Sequence, residues 1–273
     1  MKRLDSAFQR RPAFMPYFPL GYPTPELSVD VIEALAKHGA DLIEVGLPFS
    51  DPLADGPVIQ RATHIALEQG MTVARALKCI TDLRARGVTL PLILMGYYNP
   101  LLAYGLARVA ADAAQAGADG FIVPDLPPEE SAEMEAALGS GLPLIRMLAP
   151  TTPPGRIQTI TRTARGFLYL VSLTGVTGAR NQLPEGLAEF IGRVRAHTAV
   201  PLCVGFGIAT PEQARAVGQW ADGVIVGSAC VKMIGEAADP LRAAAEFAHK
   251  FQSALAERAP DGNVRRIGSP MET

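Results

Sequence analysis

A carboxylate inside an apolar run is the first residue of this chain that calls for a chemical explanation. Glu44 stands in Leu42-Ile43-Glu44-Val45-Gly46, among the residues of a buried strand. An ionised carboxylate out of water is costly unless it is hydrogen-bonded or takes up a proton, so its pKa is expected to rise. A salt-bridged glutamate at the mouth of the fold would also fit; a general acid/base with a tuned pKa is the preferred reading. Just downstream, Pro48-Phe49-Ser50-Asp51-Pro52-Leu53-Ala54-Asp55-Gly56-Pro57 holds two more carboxylates in a loop stiffened by three prolines. Asp51 and Asp55 are placed for presentation to a ligand. The alternatives are an Asx turn before Pro52 for Asp51 and, for Asp55, a cap on a helix beginning near Pro57.

Glycine-rich segments supply a second signal. Val204-Gly205-Phe206-Gly207-Ile208 and Val226-Gly227-Ser228-Ala229 each leave a predicted strand for a helix, and Gly175-Val176-Thr177-Gly178 forms a third such piece. Amides at helix N-termini bind anions, and glycine lets backbone approach phosphate oxygens closely. Tight turns alone would account for the same glycines. Other chemistries find little support. Lys37, Lys78, Lys232 and Lys250 read as helical and Lys2 lies in the N-terminal arm, so no strand-end lysine offers a Schiff base. His38, His64, His197 and His249 are scattered on helices or helix ends, solvent-facing, and make no metal ligand set. Cys79 looks helical, Cys203 lies mid-strand and Cys230 follows a glycine turn. What remains is metal-free carboxylate chemistry on a phosphorylated small molecule.

These groups need elements to position them. Continuous apolar runs predict strands at Ala13–Phe18, Leu42–Gly46, Leu92–Tyr97, Gly120–Val123, Leu144–Leu148, Phe167–Ser172, Leu202–Phe206 and Val224–Val226, of the kind covered on both faces. Helix-like stretches separate them. A joint of small residue, Asp and apolar strand recurs at Gly39-Ala40-Asp41-Leu42, Gly117-Ala118-Asp119-Gly120 and Ala221-Asp222-Gly223-Val224. There a small residue suits the helix stop and Asp can bond nearby amides. Eight alternations predict an α/β fold, a (β/α)8 TIM barrel of one domain with an extra N-terminal helix; an open doubly wound sheet is the rival. The barrel would span 1–258, and the polar tail 259–273 is expected to fray.

Composition sets the outer bounds. The chain has 273 residues, 48% of them hydrophobic and 19% charged, enough for a large core. Twenty-five basic against 27 acidic residues give a net charge of −2, with no nucleic-acid or membrane footprint. Three well-separated cysteines without a CxxC point to reduced thiols. Met1-Lys2-Arg3-Leu4-Asp5-Ser6 lacks the apolar stretch of a signal peptide, and a cytoplasmic location is expected.

The segment Ile43-Glu44-Val45-Gly46-Leu47-Pro48-Phe49-Ser50-Asp51-Pro52-Leu53-Ala54-Asp55-Gly56-Pro57 resembles the signature of the tryptophan synthase α subunit family. Gly175-Val176-Thr177-Gly178, Gly205-Phe206-Gly207-Ile208 and Gly227-Ser228 fall in the order of that family's other motifs, and the similarity runs from about Phe8 to Ile234. The resemblance implies a lyase that cleaves indole-3-glycerol phosphate to indole and glyceraldehyde 3-phosphate in tryptophan biosynthesis. It implies that Glu44 is the general acid/base, that Asp55 offsets charge at the indole nitrogen and that Tyr169 orients the glutamate, although a purely core role for Tyr169 stays open. Tyr17, Met95, Ile122, Met147, Thr177, Phe206 and Ile225 would line the indole pocket, and Gly178, Gly207, Gly227 and Ser228 would hold the phosphate. Asp51, Asn99 and Pro100 would meet a β subunit in an α2β2 heterotetramer, with pyridoxal phosphate in that partner and no cofactor or metal in this chain. Leu173, Tyr17, Phe167 and Tyr22 depart from residues frequent in the family (Arg, Phe, Tyr and Asp) and leave substrate affinity and loop closure open. A free-standing indole-producing lyase and a non-catalytic phosphate-binding subunit are the alternatives.

Overall fold

Eight short, buried strands close on themselves in the computed structural model, which describes residues 2–9, 12–172, 185–205 and 207–256. They are β1 (Ala13–Pro19), β2 (Ile43–Gly46), β3 (Leu92–Met95), β4 (Gly120–Ile122), β5 (Leu144–Leu148), β6 (Leu168–Val171), β7 (Leu202–Gly205) and β8 (Gly223–Val226). Neighbours in sequence pair in parallel, and β8 returns to pair with β1. That closure excludes the open sheet. The described helices are α1 (Lys2–Ser6), α2 (Pro25–Lys37), α3 (Pro57–Glu68), α4 (Val73–Ala85), α5 (Tyr98–Tyr104), α6 (Leu106–Ala116), α7 (Ala132–Leu138), α8 (Pro154–Thr163), α9 (Leu187–Arg195), α10 (Pro211–Val217), α11 (Ser228–Gly235) and α12 (Pro240–Ala256). The expected N-terminal helix is α1. The tail 259–273 lies outside the described residues.

Local chemistry starts and stops these helices. Thr24 and Thr72 accept the N–H groups of Leu27 and Arg75 at the heads of α2 and α4, and α2, α3 and α10 begin with proline. Gly117 ends α6 at φ +92°, a left-handed conformation that favours glycine.

The repeated aspartates do more than turn their own chain. Asp41, Asp119 and Asp222 each precede a strand, and each makes two bonds to the strand before it in the barrel order. The backbone N–H of Asp41 donates to the Phe14 carbonyl while its carboxylate accepts the Phe14 N–H, both at 2.9 Å. Asp119 does the same with Leu92, and Asp222 with Leu202. Asp119 also accepts Arg84 at 2.6 Å and Arg3 of α1 at 2.8 Å, which fastens the N-terminal helix beneath the barrel.

Register carries one phase of side chains around the barrel. Tyr17 pairs with Glu44 and Glu44 with Ile93; Gly46 pairs with Met95 and Met95 with Ile122. On the other side Met147 pairs with Tyr169, Tyr169 with Cys203 and Cys203 with Gly223. Paired residues of parallel strands face the same way, so these side chains share the barrel interior. The alternate phase, including Phe14, Phe18, Val45 and Phe121, is buried toward the helices.

Candidate active site

Glu44 is the second residue of β2 and faces inward with 1% of its surface exposed. Among the described residues its Oε1 has no hydrogen-bond partner. Burial pushes its pKa up to about 8, because the carboxylate form loses its hydration. Among the described residues Glu44 makes no salt bridge.

Asp55 reaches the same interior from the loop after β2. The Tyr97 hydroxyl donates to Asp55 Oδ2 at 3.0 Å and accepts the Ala54 N–H at 3.0 Å. Burial raises Asp55 to about 6, with the Tyr97 bond pulling the other way. The helix-cap alternative fails: Gly56 is the N-cap of α3, and the Asp55 backbone carbonyl takes the Gln60 side-chain amide at 2.8 Å. Between about pH 6 and pH 8 the pair holds a proton on Glu44 and a negative charge on Asp55.

Two tyrosines from opposite walls bound this pair. Tyr17 of β1 and Tyr169 of β6 are buried, and burial raises both phenols well above their ordinary value; the charges of Glu44 and Asp55 add to the rise in each. Each ring leans over the neighbouring strand onto a glycine two residues past its register partner. Tyr17 lies over Gly46 and Tyr169 over Gly205, where a β-carbon would overlap the hydroxyl. Bare backbone at these two points lets full phenols fit inside a narrow barrel.

Met95, Ile122 and Ile225 are buried in the same interior, while Met147 is half-buried. Thr177, Gly178 and Phe206, with Leu173, lie outside the described residues. Phe167 is fully buried in the core, 6.0 Å from the Phe8 ring.

The two glycine-rich exits differ in their architecture. After β8 the chain enters α11 directly, with Gly227 as N-cap and no side chain capping the helix. Gly227 and Ser228 are half-buried there. After β7, Gly207 takes φ +84°, and α10 begins only at Pro211. There Thr210 accepts the Gln213 N–H, and the Gln213 side chain accepts the N–H groups of Ala209 and Thr210. The head of α10 is thus already satisfied by its own capping box, and of these two exits it is the one after β8 that leads straight into a helix terminus without a side-chain cap, of the kind that suits an anion.

Asp51 and Asn99 are exposed and Pro100 is half-buried. The Asp51 carboxylate accepts the Ser50 hydroxyl. Leu53 is 84% exposed in the same loop and Leu102 is 47% exposed on α5. The Phe49 ring packs on Tyr97 at 5.5 Å, so this loop and the start of α5 are joined through the residue that holds Asp55.

Tyr97 is the residue that sequence reasoning passed over as the end of a strand. Its signal was parity: it continues the inward alternation of Ile93 and Met95. His38, His64, His197 and His249 are exposed, and the three cysteines are buried and unpaired. Among the described residues, no three His, Cys, Asp or Glu side chains are grouped as a metal ion would require, and no helix is long and apolar enough to cross a membrane.

The family model described as tryptophan synthase alpha chain matches residues 4–259. A tryptophan synthase alpha chain of Roseiflexus castenholzii is 52% identical over 255 residues, covering 90% of this chain and 98% of that protein. One from Chloroflexus aurantiacus is 49% identical over 264 residues, covering 94% and 99%. Among solved structures, the tryptophan synthase subunit alpha of Legionella pneumophila superposes with a TM-score of 0.87 at 41% identity, covering 94% of this chain and 99% of that one. A chain of the Mycobacterium tuberculosis tryptophan synthase gives 0.85 at 38% identity, covering 93% and 98%.

Proposed function

This chain belongs to the tryptophan synthase alpha chain family, whose members are lyases that cleave indole-3-glycerol phosphate to indole and glyceraldehyde 3-phosphate, and from that premise we propose how its own residues divide the work. The observation that carries the assignment is a buried Glu44, its Oε1 without a hydrogen-bond partner among the described residues and its pKa raised by burial, in the same interior as an Asp55 held by Tyr97.

Cleavage breaks the bond between indole C3 and the hydroxyl-bearing glycerol carbon. C3 must gain a proton so that the ring leaves as neutral indole, and the hydroxyl must lose one as the aldehyde forms. Glu44 delivers the first and recovers the second, which leaves it protonated for the next cycle. Asp55 faces the indole N–H and offsets the positive charge that C3 protonation places on the ring. Tyr169 orients Glu44 from the far wall. Tyr17, Met95, Ile122, Met147, Thr177, Phe206 and Ile225 form the flat apolar slot for the bicycle. Gly178, Gly207, Gly227 and Ser228 bind the phosphate, and that remote dianion sets the reacting bond against Glu44.

The family works with a β chain. We place Asp51, Asn99 and Pro100 at that contact, in an α2β2 assembly whose pyridoxal phosphate resides in the β subunit; this chain supplies no cofactor. The catalytic unit is the barrel of residues 1–258, and the assembly works in the cytoplasm. The test is indole release from indole-3-glycerol phosphate by the purified chain, with and without a β subunit. Turnover that rises with the β subunit supports the reading. A chain that binds the substrate but releases no indole in either condition overturns it in favour of a binding subunit.

A further inference from the structure

We infer that Tyr22 is a positioning residue for the phosphate end of the site, acting through the far end of α11. Tyr22 follows β1 in the turn before α2. The hydroxyl end of its ring lies against Gly235, the last residue of α11: a β-carbon there would overlap the hydroxyl and come within 2.7 Å of Cζ. The turn that carries Tyr22 is itself fixed. Gly21 adopts φ +93° where a β-carbon would come within 2.9 Å of Ala66 Cβ and 3.1 Å of Met71 Cβ, and its N–H donates to Ser28 Oγ at 2.9 Å. The Phe18 ring backs Tyr22 at 6.2 Å. The charged groups acting on the phenol are Arg61 of α3 and Glu236, the C-cap of α11.

Helix α11 is short, roughly 12 Å along its axis. Cys230, Val231 and Ile234 are buried along one face, so it moves as one body. Whatever stops its C-terminal end therefore sets the axial position of Gly227 and Ser228 at the other. Tyr22 is that stop, and Gly235 is glycine so that the ring can lie there. The inference rests on the reading of Gly227 and Ser228 as phosphate ligands and adds the residue that sets their distance from Glu44.

The test is a two-by-two comparison of Tyr22→Ala and Gly235→Ala, using inorganic phosphate as probe and indole-3-glycerol phosphate for kinetics. Circular dichroism at the assay temperature establishes that each variant is folded. Gly235→Ala is expected to raise the phosphate Kd and the substrate KM by roughly tenfold or more, with kcat at saturation retained within about twofold, because the chemistry at Glu44 is untouched. In the Tyr22→Ala background the added methyl meets no ring, and Gly235→Ala is expected to change Kd by less than about twofold. Equal effects of Gly235→Ala in both backgrounds, or an unchanged Kd in the single variant, overturn the inference while leaving the phosphate reading standing. No saturable phosphate binding by the wild-type chain overturns both. Should Gly235→Ala fail to fold, Tyr22→Ala alone decides: a raised KM with retained kcat supports the positioning role, and an unchanged KM overturns it.

Discussion

The Tyr97 hydroxyl stands between the Ala54 N–H and Asp55 Oδ2, 3.0 Å from each. One phenol thus ties the loop after β2 to the end of β3 and aims its only buried carboxylate inward. A hydrogen bond to an ionised group contributes more than a neutral one, on the order of 1.5–3 kcal/mol. Tyr97→Phe is expected to lower kcat/KM for indole release by about tenfold with the fold intact, measured by steady-state kinetics. A loss below about twofold would mean that packing alone places Asp55.

Burial separates the two carboxyls in pH. Asp55 must lose its proton at about 6 and Glu44 must keep its own up to about 8. The kcat/KM profile is therefore expected to be a bell with limbs near those values. Tyr97→Phe removes the bond that holds Asp55 down, so its acidic limb should move to higher pH while the alkaline limb stays.

The same burial costs stability at high pH. Glu44 is raised from 4.5 to about 8 in the fold, so between those values the native state binds a proton that the unfolded chain has released. Stability must then fall as pH rises through this window, by a few kcal/mol in all. Urea midpoints across pH 6 to 9, above the value of Asp55, should show the decline, and Glu44→Gln should flatten it there. A midpoint that rises toward pH 8 would contradict the burial argument.

The opposite end of the barrel should be separable from the chemistry. Asp119 is 6% exposed and joins Arg84, Arg3 and the Leu92 N–H. Asp119→Ala leaves Arg84 partly buried without its carboxylate and is expected to cost about 3 kcal/mol. Chemistry in such barrels sits at the other face. Denaturation should thus report a large loss, and kcat at a temperature where the variant is folded should change little.

Much of this was legible because of how a parallel barrel buries its strands. Runs such as Leu92-Ile93-Leu94-Met95 are apolar on both faces, so they stand out without any helical period, and Glu44 stands out within its own run as the one charge. The clamps at Asp41, Asp119 and Asp222 were visible as a repeated joint, but sequence spacing reports only local bonds. Their partners, Phe14, Leu92 and Leu202, sit on the preceding strand and emerge only with the register. Tyr97 was missed for a similar reason: its partner is 42 residues away in a loop. The capping box of Thr210 and Gln213 at the head of α10 is likewise plain only in the structure; it takes up the amides of Ala209, Thr210 and Gln213 and leaves the turn at Gly207 ahead of it.

The most direct measurement is indole release by Glu44→Gln at neutral pH, set beside its phosphate affinity. The amide keeps the shape of the buried side chain but has no carboxyl proton to give. Turnover should drop by about 10²–10⁴-fold, with the Kd for inorganic phosphate unchanged within about threefold. Indole release within about tenfold of the wild-type rate would show that some other group protonates the ring.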